Sequence, residues 1–147
     1  MDSIDMQILD MLQENARTPL KTIAEKVFLS SPAVSTRIEH LEKQGIIKGY
    51  TAMVDREQLG YHITAFINLE MEPVQKKDFY PWISNVPNVL ECNCVTGVYS
   101  MILKVAFPST VALDVFIGQL QQFGRTSTQI VFSTPIEHRG LKISDEE

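Results

Sequence analysis

The 147-residue sequence predicts an α+β protein, with three helices in its first third and a βαββαβ unit in the remainder. Apolar residues recur at helical spacing up to about residue 45, and from Ile63 the pattern changes to the apolar runs of strands. Capping residues then separate segments in the order strand, helix, strand, strand, helix, strand, which is the ferredoxin-like plan. We therefore predict domains at 1–54 and 62–147, joined by a linker at 55–61.

Composition limits the classes of function. The net charge of -5 argues against a protein that coats nucleic acid nonspecifically through its overall charge, so nucleic-acid binding would depend on a few well-placed cations. The N-terminus is acidic where an export signal would be basic, and no apolar run approaches the roughly 20 residues of a membrane span. We expect a cytoplasmic protein without membrane contact. Neither paired carboxylates nor a nucleophile with its base is apparent, so we predict no enzyme activity and no cofactor.

The two cysteines give no sign of a metal site. Cys92 and Cys94 lie two apart in a predicted strand, so they share a face and are poorly placed to form a disulfide with each other. The three histidines, at 40, 62 and 138, are scattered along the chain. We expect buried thiols and no metal.

The first two helices are followed by a very short turn. Ser3 is predicted to cap the first helix, which should run to about Asn15, and Thr18 to cap the second, with Pro19 at its first position. Only Phe28 and Leu29 separate the second helix from the next capping serine. A turn this tight indicates a helix-turn-helix crossing.

The third helix is the element around which the domain is organised. Ser30 or Ser31 is expected to cap it, Gly45 to end it, and Val34, Ile38 and Leu41 to form its buried stripe. The extended segment 46–54 completes a winged helix-turn-helix. The outward face is suited to contact with DNA, and its candidate residues are Ser31, Ser35, Thr36, Arg37, His40 and Lys43. Arg37 lies nearer the rim of this face than its outermost point, so we expect it to bind phosphate rather than a base.

The second half alternates strands and helices. A turn capped by Asp55 leads into it, a helix is predicted to start near Asp78 because Pro81 is tolerated only in a first turn, and Ser109 caps another helix. Gly97 and Val98 are predicted as a two-residue hairpin loop, and the tail from Ile136 as frayed. The predicted strands are 63–71, 89–96, 99–107 and 126–134.

Both faces of the predicted sheet read as largely apolar. In the first strand Ile67 lies on one face and Phe66 on the other, and in the third Leu103 lies opposite Ile102. Helices of this fold cover only one face. We therefore expect the second face to pack against another chain.

Three segments together resemble the Lrp/AsnC, or feast/famine, transcription regulators. They are IDMQILDMLQENART, LSSPAVSTRIEHLEKQGIIKGYTAMVD with LG shortly after, and VPNVLECNCVTGVYSMILKV. The resemblance covers nearly the whole chain. It implies a regulator that binds double-stranded DNA as a dimer or an octamer, pairs sheet to sheet, and senses small amino acids between dimers.

The resemblance also implies where ligands bind. The DNA-reading helix of the family corresponds to residues 31–43, and its effector turn to Thr96, Gly97, Val98, Tyr99 and Ser100. Two residues depart from the family pattern. Phe28 stands where Gly or Asn is usual, so strain of about 1 kcal/mol is expected if it takes a positive φ. Ser100 stands where the motif Thr-Gly-x-Tyr-Asp has its Asp.

Two alternatives stay open at this stage. The C-terminal domain could serve assembly alone, which would make the protein an architectural DNA-binding regulator without an effector. The chain could instead be a metabolite-binding module that docks on an enzyme through its N-terminal helices. A salt-dependent shift of duplex DNA would favour a DNA-binding regulator over the docking module.

Overall fold

A computed structural model describes residues 1–144 and divides the chain into two compact units. Unit 1 contains Met1–Met53 together with the segment that begins at Ile136, and unit 2 contains Val54–Pro135. The predicted domain boundaries placed this last segment with the sheet instead. Among the described residues, no helix is long and apolar enough to cross a membrane.

Unit 1 is built from three helices. These are α1 (Ser3–Glu14), α2 (Leu20–Val27) and α3 (Ser31–Lys43). Each contributes apolar side chains to one small core, as the helical spacing predicts. Its buried members are Ile8, Ile23, Ala24, Val27 and Val34.

The starts of α1 and α2 differ from the prediction. Asp2, not Ser3, caps α1, because its carboxylate accepts the N–H of Asp5 while the Asp5 carboxylate accepts the N–H of Asp2. Thr18 does not cap α2, since its hydroxyl donates to the carbonyl of Asn15 at 2.7 Å. Pro19 occupies the cap position instead, with extended backbone and no side-chain hydrogen bond.

The turn and cap before α3 agree with the prediction. The Ser30 hydroxyl accepts the N–H of Ala33 at 3.3 Å, with Pro32 in the first turn, and Gly45 follows the helix with a φ of +71°. Phe28 ends α2 in the left-handed conformation, with φ 56° and ψ 41°. The condition under which strain was expected at this residue, a positive φ, is therefore met.

The segment after α3 forms no strand ladder within the described residues. Ile46 and Ile47 do not begin a strand, because both their N–H groups donate to the carbonyl of Leu41 and so close the helix end. Farther on, the Tyr50 hydroxyl donates to Glu42 of α3 at 2.7 Å. Partial burial and this hydrogen bond raise the pKa of Tyr50 to about 12.

Unit 2 is the predicted four-stranded antiparallel sheet with helices between its strands. Its elements are β1 (Ile63–Met71), α4 (Lys76–Ile83), β2 (Val89–Cys94), β3 (Met101–Phe107), α5 (Thr110–Leu120) and β4 (Gly124–Ile130). The strand order is β2-β3-β1-β4, so the first and third strands in the chain lie at the centre. The ferredoxin-like plan is confirmed.

Two local predictions in unit 2 are wrong. Helix α4 begins before Asp78, because a 3-10 turn at Pro73–Gln75 leads directly into it, and Pro81 lies inside the helix. The helix accommodates this proline without the hydrogen bond that its missing N–H would have made. The connection between β2 and β3 is also longer than two residues and runs from Val95 to Ser100.

The core of unit 2 lies between the sheet and its two helices. Alternate residues of β1 and β3, such as Ile67 and Leu103, pair across the ladder and are fully buried. Trp82 of α4 stacks on Phe116 of α5, with ring centroids 5.9 Å apart and planes 3° from parallel. Trp82 is partly buried against the core, as expected.

The second sheet face is less apolar than the sequence suggested. Phe66 is 37% exposed there, and Lys104 of the paired strand lies over its ring at 5.9 Å. Asn68 of the same face donates to Gln129. The apolar part of this face is therefore a small strip, because strand alternation also places polar residues there.

Cys92 and Cys94 are exposed, contrary to the prediction of buried thiols. Both lie on β2, which is an edge strand and has a neighbour on one side only. Partial desolvation raises the pKa of Cys92, and negative charge on Cys94 would raise it further. Among the described residues, no cluster of ligands could hold a metal ion.

The described part of the C-terminal segment, up to Ser144, packs on α1 rather than fraying, and the last three residues of the predicted tail lie outside the described residues. The Asp10 carboxylate accepts the N–H groups of Ile143 and Ser144, both at 2.9 Å, and a hydrogen bond from the Ser144 hydroxyl. The Gln13 side-chain amide donates to the carbonyl of Leu141 at 2.8 Å and accepts its N–H at 3.1 Å. The hydrogen bonds from Ser144 and Ile143 lower the pKa of Asp10, and the bond from the Ser144 hydroxyl contributes most.

Candidate nucleic-acid interface and effector loop

The outward side of α3 presents short polar residues first and longer ones later. Ser31 and Ser35 are half-buried, and Thr36, His40 and Lys43 are exposed. Thr36 keeps its hydroxyl on the helix, where it donates to the carbonyl of Pro32 at 3.0 Å. The side chains near the N-terminus of α3 are thus short enough to let its backbone approach another surface closely.

Arg37 is engaged with α1. One guanidinium nitrogen, Nη1, lies 2.8 Å from Asp2 Oδ2 and 2.7 Å from Asp5 Oδ1. The Asp5 side chain is only 14% exposed and that of Arg37 is 31% exposed. This bridge joins the middle of α3 to the first turn of α1.

Hydrogen bonds and opposite charges account for the direction of two pKa shifts at this bridge. Hydrogen bonds from Asp5 N–H and then from Arg37 lower the pKa of Asp2, and the two carboxylates raise the pKa of Arg37. Both shifts favour the charged forms of Asp2 and Arg37. A phosphate that approached Arg37 would compete with two carboxylates for it.

The sequence analysis did not identify Asp2 and Asp5 as partners of Arg37. Two acidic residues three positions apart at the start of a helix form a capping-box pattern, and this pattern could have identified Asp2 as the cap of α1. The local sequence pattern does not reveal the contact with α3, because Arg37 is 35 positions from Asp2 and 32 positions from Asp5 in the chain. That Arg37 binds phosphate stays a prediction, and its contacts with Asp2 and Asp5 suggest positioning of α3 as an alternative role.

The predicted effector residues lie together in the loop 95–100. Thr96, Gly97 and Val98 are exposed, Tyr99 is half-buried, and Gly97 has a φ of +106°. Within the described part of the chain, the N–H groups of residues 96–99 make no hydrogen bond. A carboxylate could therefore accept from them.

Ser100 faces the end of β1. Its backbone N–H donates to the carbonyl of Leu69 at 2.9 Å, and its hydroxyl oxygen accepts the N–H of Met71 at 3.1 Å. The carbonyl oxygens of Leu69 and Met71 lie 3.2 and 3.3 Å from the same hydroxyl. Ser100 thus ties the loop to the central strand.

Comparison with protein families gives two matches that together span most of the chain. The family described as winged helix-turn-helix DNA-binding matches residues 1–48. The family described as Lrp/AsnC ligand-binding domain matches residues 64–141. The boundary between the matches falls near the transition from helices to sheet.

Individual relatives are similar along nearly their whole length. The Uncharacterized HTH-type transcriptional regulator YezC of Bacillus subtilis is 38% identical over 138 residues, which is 94% of this chain and 98% of the relative. The solved structure of LrpC from B. subtilis superposes with a TM-score of 0.88 at 29% identity, covering 94% of this chain and 99% of that one. A feast or famine regulatory protein from M. tuberculosis, solved in complex with L-methionine, superposes with a TM-score of 0.89 at 28% identity, covering 95% and 97%.

Proposed function

Because the chain belongs to the Lrp/AsnC family of transcriptional regulators, we propose that it is a homo-oligomer that binds double-stranded DNA through α3 and an amino acid through the loop 95–100. The observation that carries the DNA-binding part is the geometry of α2 and α3. A three-residue turn holds them in a helix-turn-helix, and the polar side chains in the N-terminal part of α3 are short.

Five residues of α3 are proposed to contact DNA directly. The three nearer its N-terminus have hydroxyls that can hydrogen-bond base edges or phosphates, and the other two extend its polar face. They are Ser31, Ser35, Thr36, His40 and Lys43. The role of Arg37 is proposed to be the positioning of α3 on α1, since Asp2 and Asp5 already bind its guanidinium.

A second copy of the chain is the proposed partner of the open sheet face. The strip around Phe66 gives this face an apolar centre, and Asn68 and Gln129 beside it provide hydrogen-bonding groups that suit an interface rim. A dimer would place two copies of α3 on one molecule, so the operator is expected to be roughly palindromic. Its half-sites would lie about 10 bp, or a multiple of that, apart.

The effector is proposed to be an amino acid because a related structure holds L-methionine. The free N–H groups around Gly97 are suited to its carboxylate. The ammonium needs an acceptor, and Ser100 provides no negative charge for it. A regulator that assembles on DNA without an effector is therefore the second candidate, and the engagement of Ser100 with β1 favours it.

Two measurements on the full chain test these proposals. Duplex DNA selected by the protein from a random library should shift in a gel, with an affinity that falls as salt rises. A thermal-shift panel of the standard amino acids should raise the melting temperature for at least one of them, since a ligand that binds the folded state stabilises it. No shift with any amino acid would support the second candidate, and no selected duplex would refute the DNA-binding proposal.

A further inference from the structure

We propose that Phe28 is a DNA-contacting residue whose ring packs against a thymine methyl group in the major groove. This inference rests on the proposed function, because it concerns the same DNA-binding surface. It adds a residue outside the reading helix to that surface. The chemistry is apolar and base-specific, unlike that of the hydroxyls on α3.

The backbone of Phe28 gives the first reason. It is the one non-glycine residue with a positive φ among the residues that the structure describes. Left-handed backbone brings the Cβ of an L-residue too close to its own carbonyl oxygen, so glycine or asparagine is the usual choice at such a helix end. Glycine would satisfy this turn with less strain. The fold therefore has no use for a large side chain at this position.

The side chain gives the second reason, which is independent of the first. Phe28 is 93% exposed, whereas Val27 beside it is only 5% exposed and Leu29 packs against the core of unit 1. The core is thus closed without Phe28. A residue that strains the backbone and leaves an aromatic ring in water gains nothing from folding that would account for it.

The position of Phe28 favours DNA as the occupant. Phe28 lies two residues before Ser30, which caps α3. In helix-turn-helix proteins, the helix that corresponds to α3 enters the major groove with its N-terminal residues against the bases. Two exposed residues of opposite charge, Glu25 and Lys26, lie just before Phe28, so the charges next to it in the sequence balance. In the major groove, thymine presents a C5 methyl group that apolar side chains contact.

The experiment compares four full-length proteins on a duplex that the wild type selects from a random library. Phe28→Gly and Phe28→Asn remove the ring but suit the left-handed backbone, whereas Phe28→Tyr keeps the ring. We expect the glycine and asparagine variants to melt at or above the wild-type temperature yet to bind the duplex about five- to tenfold more weakly. The tyrosine variant should bind within about twofold of the wild type. The slope of affinity against salt should not change, because no phosphate contact is lost.

Replacing thymine by uracil in the selected duplex identifies the methyl contact. One such position should weaken the wild type about as much as Phe28→Gly does, and should cause no further loss in the glycine variant. Equal binding by the wild type and the glycine variant would overturn the inference and leave the proposed function intact. So would a loss that is the same with and without the methyl groups. A wild type that selects no duplex would overturn the proposed function and the role of Phe28 together.

Discussion

The bridge from Arg37 to Asp2 and Asp5 provides the sharpest test of how unit 1 presents its reading helix. If Arg37 positions α3 on α1, then Arg37→Ala and Asp5→Asn should both lower stability, because each removes the ion pair between Arg37 and Asp5. If Arg37 binds phosphate, only Arg37→Ala should weaken DNA binding through charge. The two roles can therefore be separated by two substitutions and two measurements.

The expected loss of stability follows from the burial of the pair. Asp5 is 14% exposed and lies 2.7 Å from Arg37 Nη1, so this contact is a partly buried, charge-assisted hydrogen bond. Such a bond lies at or above the upper end of the range for surface ion pairs, which gives about 1 to 2 kcal/mol. For a chain of this length, that corresponds to about 2 to 8 °C in melting temperature.

The assay combines thermal unfolding with DNA affinity measured over a range of salt concentrations. We expect Arg37→Ala and Asp5→Asn each to lower the melting temperature by that amount while leaving the salt slope within about half a unit of the wild type. Lys43→Ala is the matched control. It removes an exposed cation of the same helix that is proposed to contact phosphate, so it should flatten the slope by about one unit with little change in stability. A slope flattened by one unit in Arg37→Ala, with an unchanged melting temperature, would refute the positioning role.

Three further outcomes are expected. Asp10→Asn should release the C-terminal segment and speed amide exchange at Ile143 and Ser144. In the wild type, the segment should be fully docked above the ordinary Asp pKa of 3.8 and should be released as the pH falls through the lowered pKa of Asp10 in the folded state. Protection from exchange that does not change with pH in this way, after correction for the intrinsic exchange rate, would contradict this prediction. Ser100→Asp should lower the melting temperature, because the new carboxylate would face two carbonyl oxygens of β1. The same variant should bind at least one standard amino acid more tightly than the wild type does in calorimetry. Tight binding by the wild type with no gain in the variant would argue against this account of the loop. Phe66→Glu should shift the protein from dimer towards monomer in light scattering at micromolar concentration, and a wild type that is already fully monomeric would exclude the proposed interface.

Features that depend on neighbouring residues in the chain could be predicted from the sequence. Ser30 and Ser109 cap their helices as expected, and Gly45 takes the positive φ that ends α3. Each of these is set by backbone groups within a few residues. The strand order also follows from the alternation of elements, since few topologies suit that order.

Features that depend on contacts between distant segments could not be predicted. The tail from Ile136 was expected to fray because it is polar and terminal, but Asp10 and Gln13 bind its backbone across more than 120 residues. Its sequence carries no sign of this, because the tail contributes mainly backbone groups. The exposure of Cys92 and Cys94, in contrast, could have been predicted, because the predicted topology already places β2 at an edge of the sheet.

The loop 95–100 shows how both kinds of information meet in one candidate site. Its residues could be located from the sequence, and Gly97 has the positive φ that suits a turn, yet the loop is longer than the predicted two-residue hairpin loop. Ser100 ends this loop, where its N–H and hydroxyl bond the end of β1 while its carbonyl accepts the N–H of Val95. The residue that departs from the family motif is thus also the one whose hydrogen bonds reach the central strand. A change at Ser100 is therefore expected to alter stability and effector binding together, which is why both must be measured on the same variant.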